Sequence, residues 1–193
     1  MLARVLAAVA KVAGRNNTKY ILNCVRCRTN KSQTILTATD GRALIEARFE
    51  ANPKAPKGVL CIPAVDFLRA ASLSNDIRRD GEIRLSGSGK PGNTCRIEVL
   101  DARATLRCDA NDGTFPRTDD IFPAGQPVAQ ITFDADRFVA LVNAVADAAY
   151  PASDCAPHGV TLTWYSDTKP ALITAKGKDG VEVRALLTPI KVF

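Results

Sequence analysis

The feature that most constrains this chain is a pattern that occurs three times: a helical segment followed by three segments with strand periodicity. Apolar residues recur at helical spacing near Leu2–Gly14, Ala64–Leu73 and Ala135–Ala149. Alternating apolar and polar residues then predict strands near Tyr20–Arg28, Thr34–Thr39, Ala43–Phe49, Glu82–Ser86, Thr94–Val99, Ala104–Cys108, Gly159–Tyr165, Ala171–Lys176 and Gly180–Thr188. This internal repetition bounds the architecture before any other inference.

The repeat predicts an α+β fold of βαβββ units, with helices on one face of antiparallel sheets. The predicted parts are a first unit at about 1–57, a second at 58–110, a Pro/Gly-rich linker at 111–127 and a third unit at 128–193. Leading strands precede the second and third helices (Val59–Pro63 and Val128–Phe133), but the first unit has no clear one. The chain is therefore expected to contain one complete two-unit domain, 1–110, and half of another.

Charge is distributed unevenly along the chain. Residues 1–110 carry 19 Lys/Arg and 10 Asp/Glu, a net charge of +9, whereas residues 111–193 have a net charge of −3. The basic part favours a polyanionic partner, and the acidic part argues against a uniformly cationic, coat-like DNA binder. There is no run of eighteen apolar residues, and Arg4 and Lys11 interrupt the apolar start, so we expect a cytosolic protein without a membrane span.

One face of the first predicted helix carries cations. Its members are Arg4, Lys11 and Arg15, with Ala8 between them and Lys19 just after. A low, positively charged surface suits contacts with DNA phosphates without base readout, although an ordinary solvated helix face explains the same residues. Arg69 and Arg137 are weaker candidate DNA contacts on the second and third helices.

Neither the cysteines nor the only histidine forms a credible active site. Cys24 and Cys27 form a C-x-x-C, but in a strand this spacing puts them on opposite faces, and no second ligand pair stands at zinc spacing. Core thiols are the favoured interpretation and a metal site the alternative. Nothing near His158 singles it out as a catalytic base. We expect a protein that is not an enzyme and uses no cofactor or metal.

Four segments resemble the bacterial DNA polymerase sliding clamps, or beta clamps, and they occur in clamp order. They are TATDGRAL (Thr37–Leu44), CIPAVDFLRA (Cys61–Ala70), DGTFPRTDDIFP (Asp112–Pro123) and ALLTPIKV (Ala185–Val192). The first three are similar to the family's middle domain and its exit, and the last resembles the close of the final domain. The resemblance implies a DNA-clamp fold: a ring around duplex DNA, with helices lining the hole, sheets outside and no catalysis.

The resemblance also implies a pocket for short peptides of polymerases, the clamp loader and repair proteins. Its implied residues are Thr39, Gly41, Arg42 and Leu44 in a turn, Pro116 and Ile121 in the linker, and Leu186, Thr188 and Pro189 near the end. Apolar walls with one cation suit an extended peptide. The alternative is a plain hairpin, since the Asp40-Gly41 pair is a common turn sequence.

The chain is shorter than a clamp subunit, which bears on its assembly. The family's rings contain twelve such units and this chain has three, so the resemblance favours a homotetrameric ring. Half domains would then be completed between chains or stand alone. The alternative is a clamp-like regulator or decoy that does not encircle DNA and binds clamp-interacting peptides, or DNA, non-specifically.

Overall fold

The computed structural model describes most of the chain. The described residues are 3–15, 18–51, 57–74, 81–87, 94–111, 113–118, 121–122, 130–150, 158–166, 169–177 and 181–190. The chain forms two compact units, which we call unit 1 (Met1–Ile121) and unit 2 (Phe122–Phe193).

The described part of unit 1 contains two helices and two antiparallel sheets. The helices are α1 (Ala3–Val12) and α2 (Ala64–Leu73). The strands are β1 (Cys24–Thr29), β2 (Gln33–Thr39), β3 (Leu44–Glu50), β4 (Gly58–Pro63), β5 (Ile83–Ser86), β6 (Thr94–Val99) and β7 (Ala104–Asp109). These bounds follow the sequence pattern closely because each element has one apolar face and turn residues at its ends.

The strand that precedes α2 does not join the strands that follow α2. Instead, β4 pairs antiparallel with β1, with Ile62 opposite Val25, and the first sheet has the order β3-β2-β1-β4. The second sheet has the order β5-β6-β7. This exchange of a strand joins the first two sequence repeats into one body.

One apolar core lies between the helices and the two sheets of unit 1. Leu6 and Val9 of α1, Phe67 of α2, and Leu36 and Ile97 of the strands are buried in it. The patterning produces this core directly, because residues three and four apart share a helix face and alternate residues share a strand face. Burial of each large side chain contributes about 1.5–3 kcal/mol relative to exposure.

Unit 2 contains one helix and one sheet among its described residues. They are α3 (Ala135–Ala149) and the strands β8 (Thr161–Thr163), β9 (Ala171–Lys176) and β10 (Glu182–Leu187), in the order β10-β9-β8. Asp134 caps α3 as its position predicts, since its Oδ1 accepts a hydrogen bond from the N–H of Arg137 (2.9 Å). Val145, Ile173 and Leu187 lie at the centre of a separate core.

The α+β prediction is confirmed, and two local predictions are wrong. Tyr20–Asn23, predicted as the start of a strand, forms a 3-10 turn. The N–H of Leu22 donates a hydrogen bond to Lys19 O, and the carbonyl of Leu22 accepts one from the N–H of Gly14. These bonds turn the chain away from the end of α1. The leading strand of the third predicted unit, Val128–Phe133, is described only at residues 130–133, and these are not in a strand. Thr132 O nevertheless accepts a hydrogen bond from Ile190 N (2.9 Å).

Candidate nucleic-acid and peptide interfaces

The cations predicted on α1 lie on the side of the helix away from the core. Arg4, Ala8 and Lys11 follow one helical face, as their spacing predicts, and all three are exposed. Arg15 is also exposed but lies beyond the last residue of the helix, and Lys19 is exposed farther along. The helical part of the basic surface is therefore two cations that flank a small alanine, which a phosphate backbone can approach closely.

The other two candidate DNA contacts have different surroundings. Arg69 on α2 is exposed, and its guanidinium lies 3.9 Å from a carboxylate oxygen of Asp66, one helical turn away. An exposed pair of this kind contributes about 0–1 kcal/mol, so the main effect of Asp66 is to reduce the local positive charge. Arg137 lines a groove in unit 2 together with residues at the end of β10.

This unit 2 groove lies between α3 and the end of β10 and has a volume of ≈ 480 Å³. Its lining residues are Asp134, Arg137, Ala140, Leu141, Ala144, Leu186, Leu187, Thr188 and Ile190. Leu186 is 67% exposed, Thr188 is exposed, and Pro189 is half-buried between two lining residues. A mostly apolar concave surface with one cation and one hydroxyl has the chemistry of a peptide-binding groove. Two of the three predicted peptide contacts of unit 2 thus lie beside Arg137, which the sequence assigned to DNA.

The turn between β2 and β3 is held by side-chain hydrogen bonds. Asp40 Oδ1 accepts from the N–H groups of Ala43 (2.7 Å) and Arg42 (2.8 Å), and these two bonds lower the pKa of Asp40. Thr39 Oγ1 donates to Ala43 O (2.6 Å) and accepts from Gly41 N (3.0 Å). Gly41 has a φ of +93°, which favours glycine. The exposed Arg42 therefore extends from a backbone whose conformation is fixed.

The segment 113–118 covers the outer face of the first sheet. Phe115 is buried against Cys24 and Cys61, and Thr118 is only 1% exposed. The remaining predicted peptide contacts of unit 1 are Leu44, half-buried at the start of β3, and Pro116 and Ile121, both exposed. Part of the stretch predicted as a linker is therefore anchored on unit 1, with Pro116 between two anchored residues.

Arg26 is the residue of this region that sequence patterning missed. It is 8% exposed, and its Nη2 donates to Thr118 Oγ1 (2.7 Å) and more weakly to Thr37 Oγ1 (3.5 Å). Its guanidinium lies 5.0 Å from the centre of the Phe115 ring. Its Nε has no hydrogen-bond partner among the described residues. The only sequence signal was a cation between two apolar residues, Val25 and Cys27, and the structure shows that this cation contacts Phe115 and Thr118 of segment 113–118.

The cysteines of the described chain are buried thiols. Cys24 and Cys27 lie on opposite faces of β1, as predicted, since Cys24 packs near Phe115 and Cys27 in the main core. Burial and the nearby Cys61 raise the pKa of Cys24 to about 11. No group of three or more metal-ligating side chains occurs among the described residues, and Cys155 lies outside them.

His158 packs against an aromatic ring at the start of the last sheet. The rings of His158 and Tyr150 stack with centroids 4.5 Å apart, and the Tyr150 hydroxyl donates to Gly159 O (2.7 Å). These contacts join the end of α3 to the residues just before β8.

None of the described helices is long and apolar enough to cross a membrane.

Comparison with known proteins relates both units to one group of proteins. A family model described as "DNA polymerase III beta subunit, central domain" matches residues 1–117. The solved structure of the DNA polymerase III subunit beta from Pseudomonas aeruginosa is similar to this chain, with a TM-score of 0.78 and 17% sequence identity. The match covers 97% of this chain and 48% of that chain. A DNA polymerase sliding clamp from the same organism matches with a TM-score of 0.75 and 18% sequence identity, and the match covers 98% of this chain and 50% of that chain. No curated protein matches this chain in sequence.

A third structure, the P. aeruginosa DNA polymerase III subunit beta bound to griselimycin, has a TM-score of 0.76 at 18% identity. It is matched over 98% of this chain and 49% of its own length. These similarities confirm the predicted chain fold, in which helices lie on one face of antiparallel sheets. The chain spans about half the length of these solved structures.

Proposed function

This chain belongs to the DNA polymerase III beta-subunit family of sliding clamps, and we propose that it is a processivity factor that encircles duplex DNA as a homo-oligomeric ring. In this proposal the protein acts in the cytoplasm during DNA replication and has no catalytic activity of its own. A tetramer is favoured because four chains supply the twelve repeat units of the family's rings.

The observation that carries the proposal is the exposed basic surface on α1, in a fold in which both helices of unit 1 pack on the same core. Arg4, Lys11, Arg15 and Lys19 contact phosphates in this proposal, and Arg69 adds a weaker contact. Such contacts are independent of sequence and weaken with salt, by a slope of about 0.9 per neutralised phosphate. A few cations on each chain attract DNA without fixing its position, which sliding requires.

Partner peptides of the polymerase and the clamp loader bind, in this proposal, to two surfaces. The first is the unit 1 surface with Gly41, Arg42, Leu44, Pro116 and Ile121, in which Thr39, only 8% exposed, supports the turn from beneath. The second is the unit 2 groove with Leu186, Thr188 and Pro189. Because Arg137 lines this groove, we assign it to peptide binding in preference to the DNA contact that its sequence suggested. Arg42 and Arg137 then favour peptides that carry a carboxylate beside apolar residues.

One observation favours a second candidate function. The chain matches only 48–50% of the length of the solved clamps, so a clamp-like regulator or decoy that does not encircle DNA is the alternative. Encirclement and simple binding differ in one property, the response to a free DNA end.

The test combines particle shape with topology. Electron microscopy of the purified protein should show a closed ring with a hole wide enough for a duplex. Protein bound to nicked circular DNA should remain bound during gel filtration and be released when a single restriction cut linearises the circle. Compact particles without a hole, or binding that survives the cut, would support the regulator instead.

The DNA surface is tested by a triple charge reversal, Arg4→Glu, Lys11→Glu and Arg15→Glu. Retention on circular DNA should fall at least about tenfold at moderate salt, because each lost phosphate contact reduces the salt slope by about one. The matched control reverses Lys31, Arg96 and Arg107, which are also exposed but lie in a loop and on β6 and β7. Equal losses in both triple variants would mean that only net charge matters and that α1 is not the DNA surface.

A further inference from the structure

The three helices begin at matching points of the repeat and can be compared position by position. The fourth residue of each helix (Leu6, Phe67 and Phe138) packs into the core of its own unit. The first and eighth residues lie on a neighbouring flank. In α1 and α2 this flank is formed by alanines that are all buried, Ala3, Ala10, Ala64 and Ala71, and the two helices pack against each other. Small side chains allow such a close approach.

The same flank of α3 is open to solvent. Its first residue, Ala135, is exposed, and its eighth, Val142, is only half-buried. Val139, on the same flank, is 56% exposed. The opposite flank of α3 lines the groove beside β10. The open flank is thus the one that, in α1 and α2, a second helix covers.

The backbone before α3 repeats the arrangement seen before α2. In unit 1, Cys61 lies three residues before α2, and its carbonyl accepts from Asn111 N (2.8 Å), just after β7. In unit 2, Thr132 lies three residues before α3, and its carbonyl accepts from Ile190 N (2.9 Å), just after β10. The segment 130–133 therefore occupies the position relative to α3 and β10 that the end of β4 occupies relative to α2 and β7, although none of the described strands pairs with it.

The edge that such a segment would complete is also open. In unit 1, β4 covers the edge of β1, the first strand after α1. The corresponding strand of unit 2 is β8, which is the edge strand of its sheet, and none of the described residues pairs with its outer side. Among the described residues, the flank of α3, the segment 130–133 and the edge of β8 all lack the neighbour that the repeat supplies in unit 1.

We propose that a second copy of this chain supplies that neighbour. Two copies of unit 2, related by a two-fold axis, pack α3 against α3 of the partner, and each adds its segment 130–133 to the open edge of the other's β8. The pair reproduces with a true two-fold axis what the two halves of unit 1 make within one chain. Two chains then form three domains, one from each unit 1 and one from the two copies of unit 2. Two such pairs of chains provide the twelve βαβββ repeats of a ring.

Charge on α3 favours a second copy as the occupant. A two-fold contact brings the side chains nearest its axis close to their own counterparts, so a charge at that position would repel itself. The flank carries Ala135, Val139 and Val142 and no charge, whereas Asp136 and Asp147 lie on the outward face. The basic outer surface of α1 offers no comparable neutral match. The inference goes beyond the proposed function, because the pairing needs no DNA.

The test places like and opposite charges across the predicted axis in the full-length protein. Val139→Asp and Val139→Lys should each shift the sedimenting species to half the wild-type mass, with at least about a tenfold weaker association. An equimolar mixture of the two variants should restore the wild-type mass, because opposite charges then face each other. Ala148→Asp, exposed on the other flank of α3, is the matched control and should leave the mass unchanged.

Several outcomes would overturn the pairing: a monomeric wild type, single variants that associate normally, a control that dissociates equally, or a mixture that stays dissociated. Hydrogen exchange supplies a second measurement, since amides of β8 should become more protected as protein concentration rises. Unchanged exchange across the association range would also refute the contact. If the pairing fails while linearisation still releases the protein from DNA, clamp function stands and only this interface is wrong.

Discussion

Substitution of Thr118 by valine tests whether Arg26 anchors segment 113–118. Valine has the shape of threonine but no hydroxyl, and Thr118 is 1% exposed, so the change removes a hydrogen bond without opening a cavity. It removes the shorter of the two described hydrogen bonds of Arg26, a residue that is 8% exposed, and leaves the longer one to Thr37 (3.5 Å) and the contact with the Phe115 ring. Hydrogen bonds to charged groups contribute about 1.5–3 kcal/mol, and a buried charge that loses its partner falls at the upper end. We expect a loss of about 2–3 kcal/mol in the stability of unit 1.

Urea unfolding measures this loss in one unit at a time. With a slope of about 1–3 kcal/mol/M, the midpoint of unit 1 should fall by about 1 M. Circular dichroism reports both units, whereas Trp164, the only tryptophan, lies in unit 2. In Thr118→Val, the urea midpoint measured by circular dichroism should therefore fall, whereas the midpoint measured by tryptophan fluorescence should stay unchanged.

Two further variants separate the hydrogen bond from packing. Thr118→Ser keeps the hydroxyl and loses one methyl, and it should cost about 1 kcal/mol. Adding Arg26→Met to Thr118→Val should recover part of the stability, because the buried charge leaves together with its acceptor. If Thr118→Val is no more destabilising than Thr118→Ser, the bond between Arg26 and Thr118 does not hold the segment and the reasoning is refuted.

The other predictions concern the turn, the thiols and the unit 2 groove. Gly41→Ala should lower the stability of unit 1 by about 1–2 kcal/mol in thermal unfolding, since its φ is +93°, whereas Gly159→Ala, in open space, should not. The pKa of Asp40 is lower in the folded protein than in the unfolded chain. The hydrogen bonds of its carboxylate therefore stabilise the fold above the unfolded pKa, and this stabilisation is lost as the pH falls through the folded pKa. The decline in stability below about pH 4 should be smaller in Asp40→Asn, which has no carboxylate to protonate. At pH 8 the five described cysteines should resist alkylation in the native protein and react in denaturant, as mass spectrometry would show, because burial raises the pKa of Cys24 to about 11 and of Cys108 to about 12. Arg137→Glu should weaken binding of acidic clamp-interacting peptides at least about tenfold in fluorescence anisotropy and leave retention on DNA unchanged; the reverse result would return Arg137 to the DNA surface.

Much of the fold could be predicted because its signals are local. The apolar stripe of α3 and the N-cap at Asp134 lie within a few residues of one another, and so do the alternation of β2 and the turn at Gly41. The same patterns indicated which side of α1 is buried and therefore which side exposes Arg4 and Lys11. Turn and groove residues near Thr39 and Leu186 came from the family resemblance, since nothing in their spacing alone distinguishes a peptide surface from a hairpin.

Other features could not be predicted from local patterns because they depend on neighbours far away in sequence. Arg26 and Thr118 are 92 positions apart, and only folding brings a strand cation against a loop hydroxyl. The segment 130–133 has the composition of a strand but, within one chain, lacks the edge that β4 finds on β1. Arg137 has the sequence context of an exposed helix cation, and only the packing of α3 beside β10 places it in a groove.

The amino-acid sequence by itself determined the repeat, the element types and the inward face of each, because periodicity and turn chemistry act over a few residues. The tertiary structure decided which surfaces are covered: segment 113–118 on the first sheet, α2 on the flank of α1, and no described element on the equivalent flank of α3. Apolar patterning specifies that a face is to be buried, but the hydrophobic effect is non-directional and does not name the partner. That choice depends on shape, charge and unpaired backbone edges, which exist only once the chain has folded.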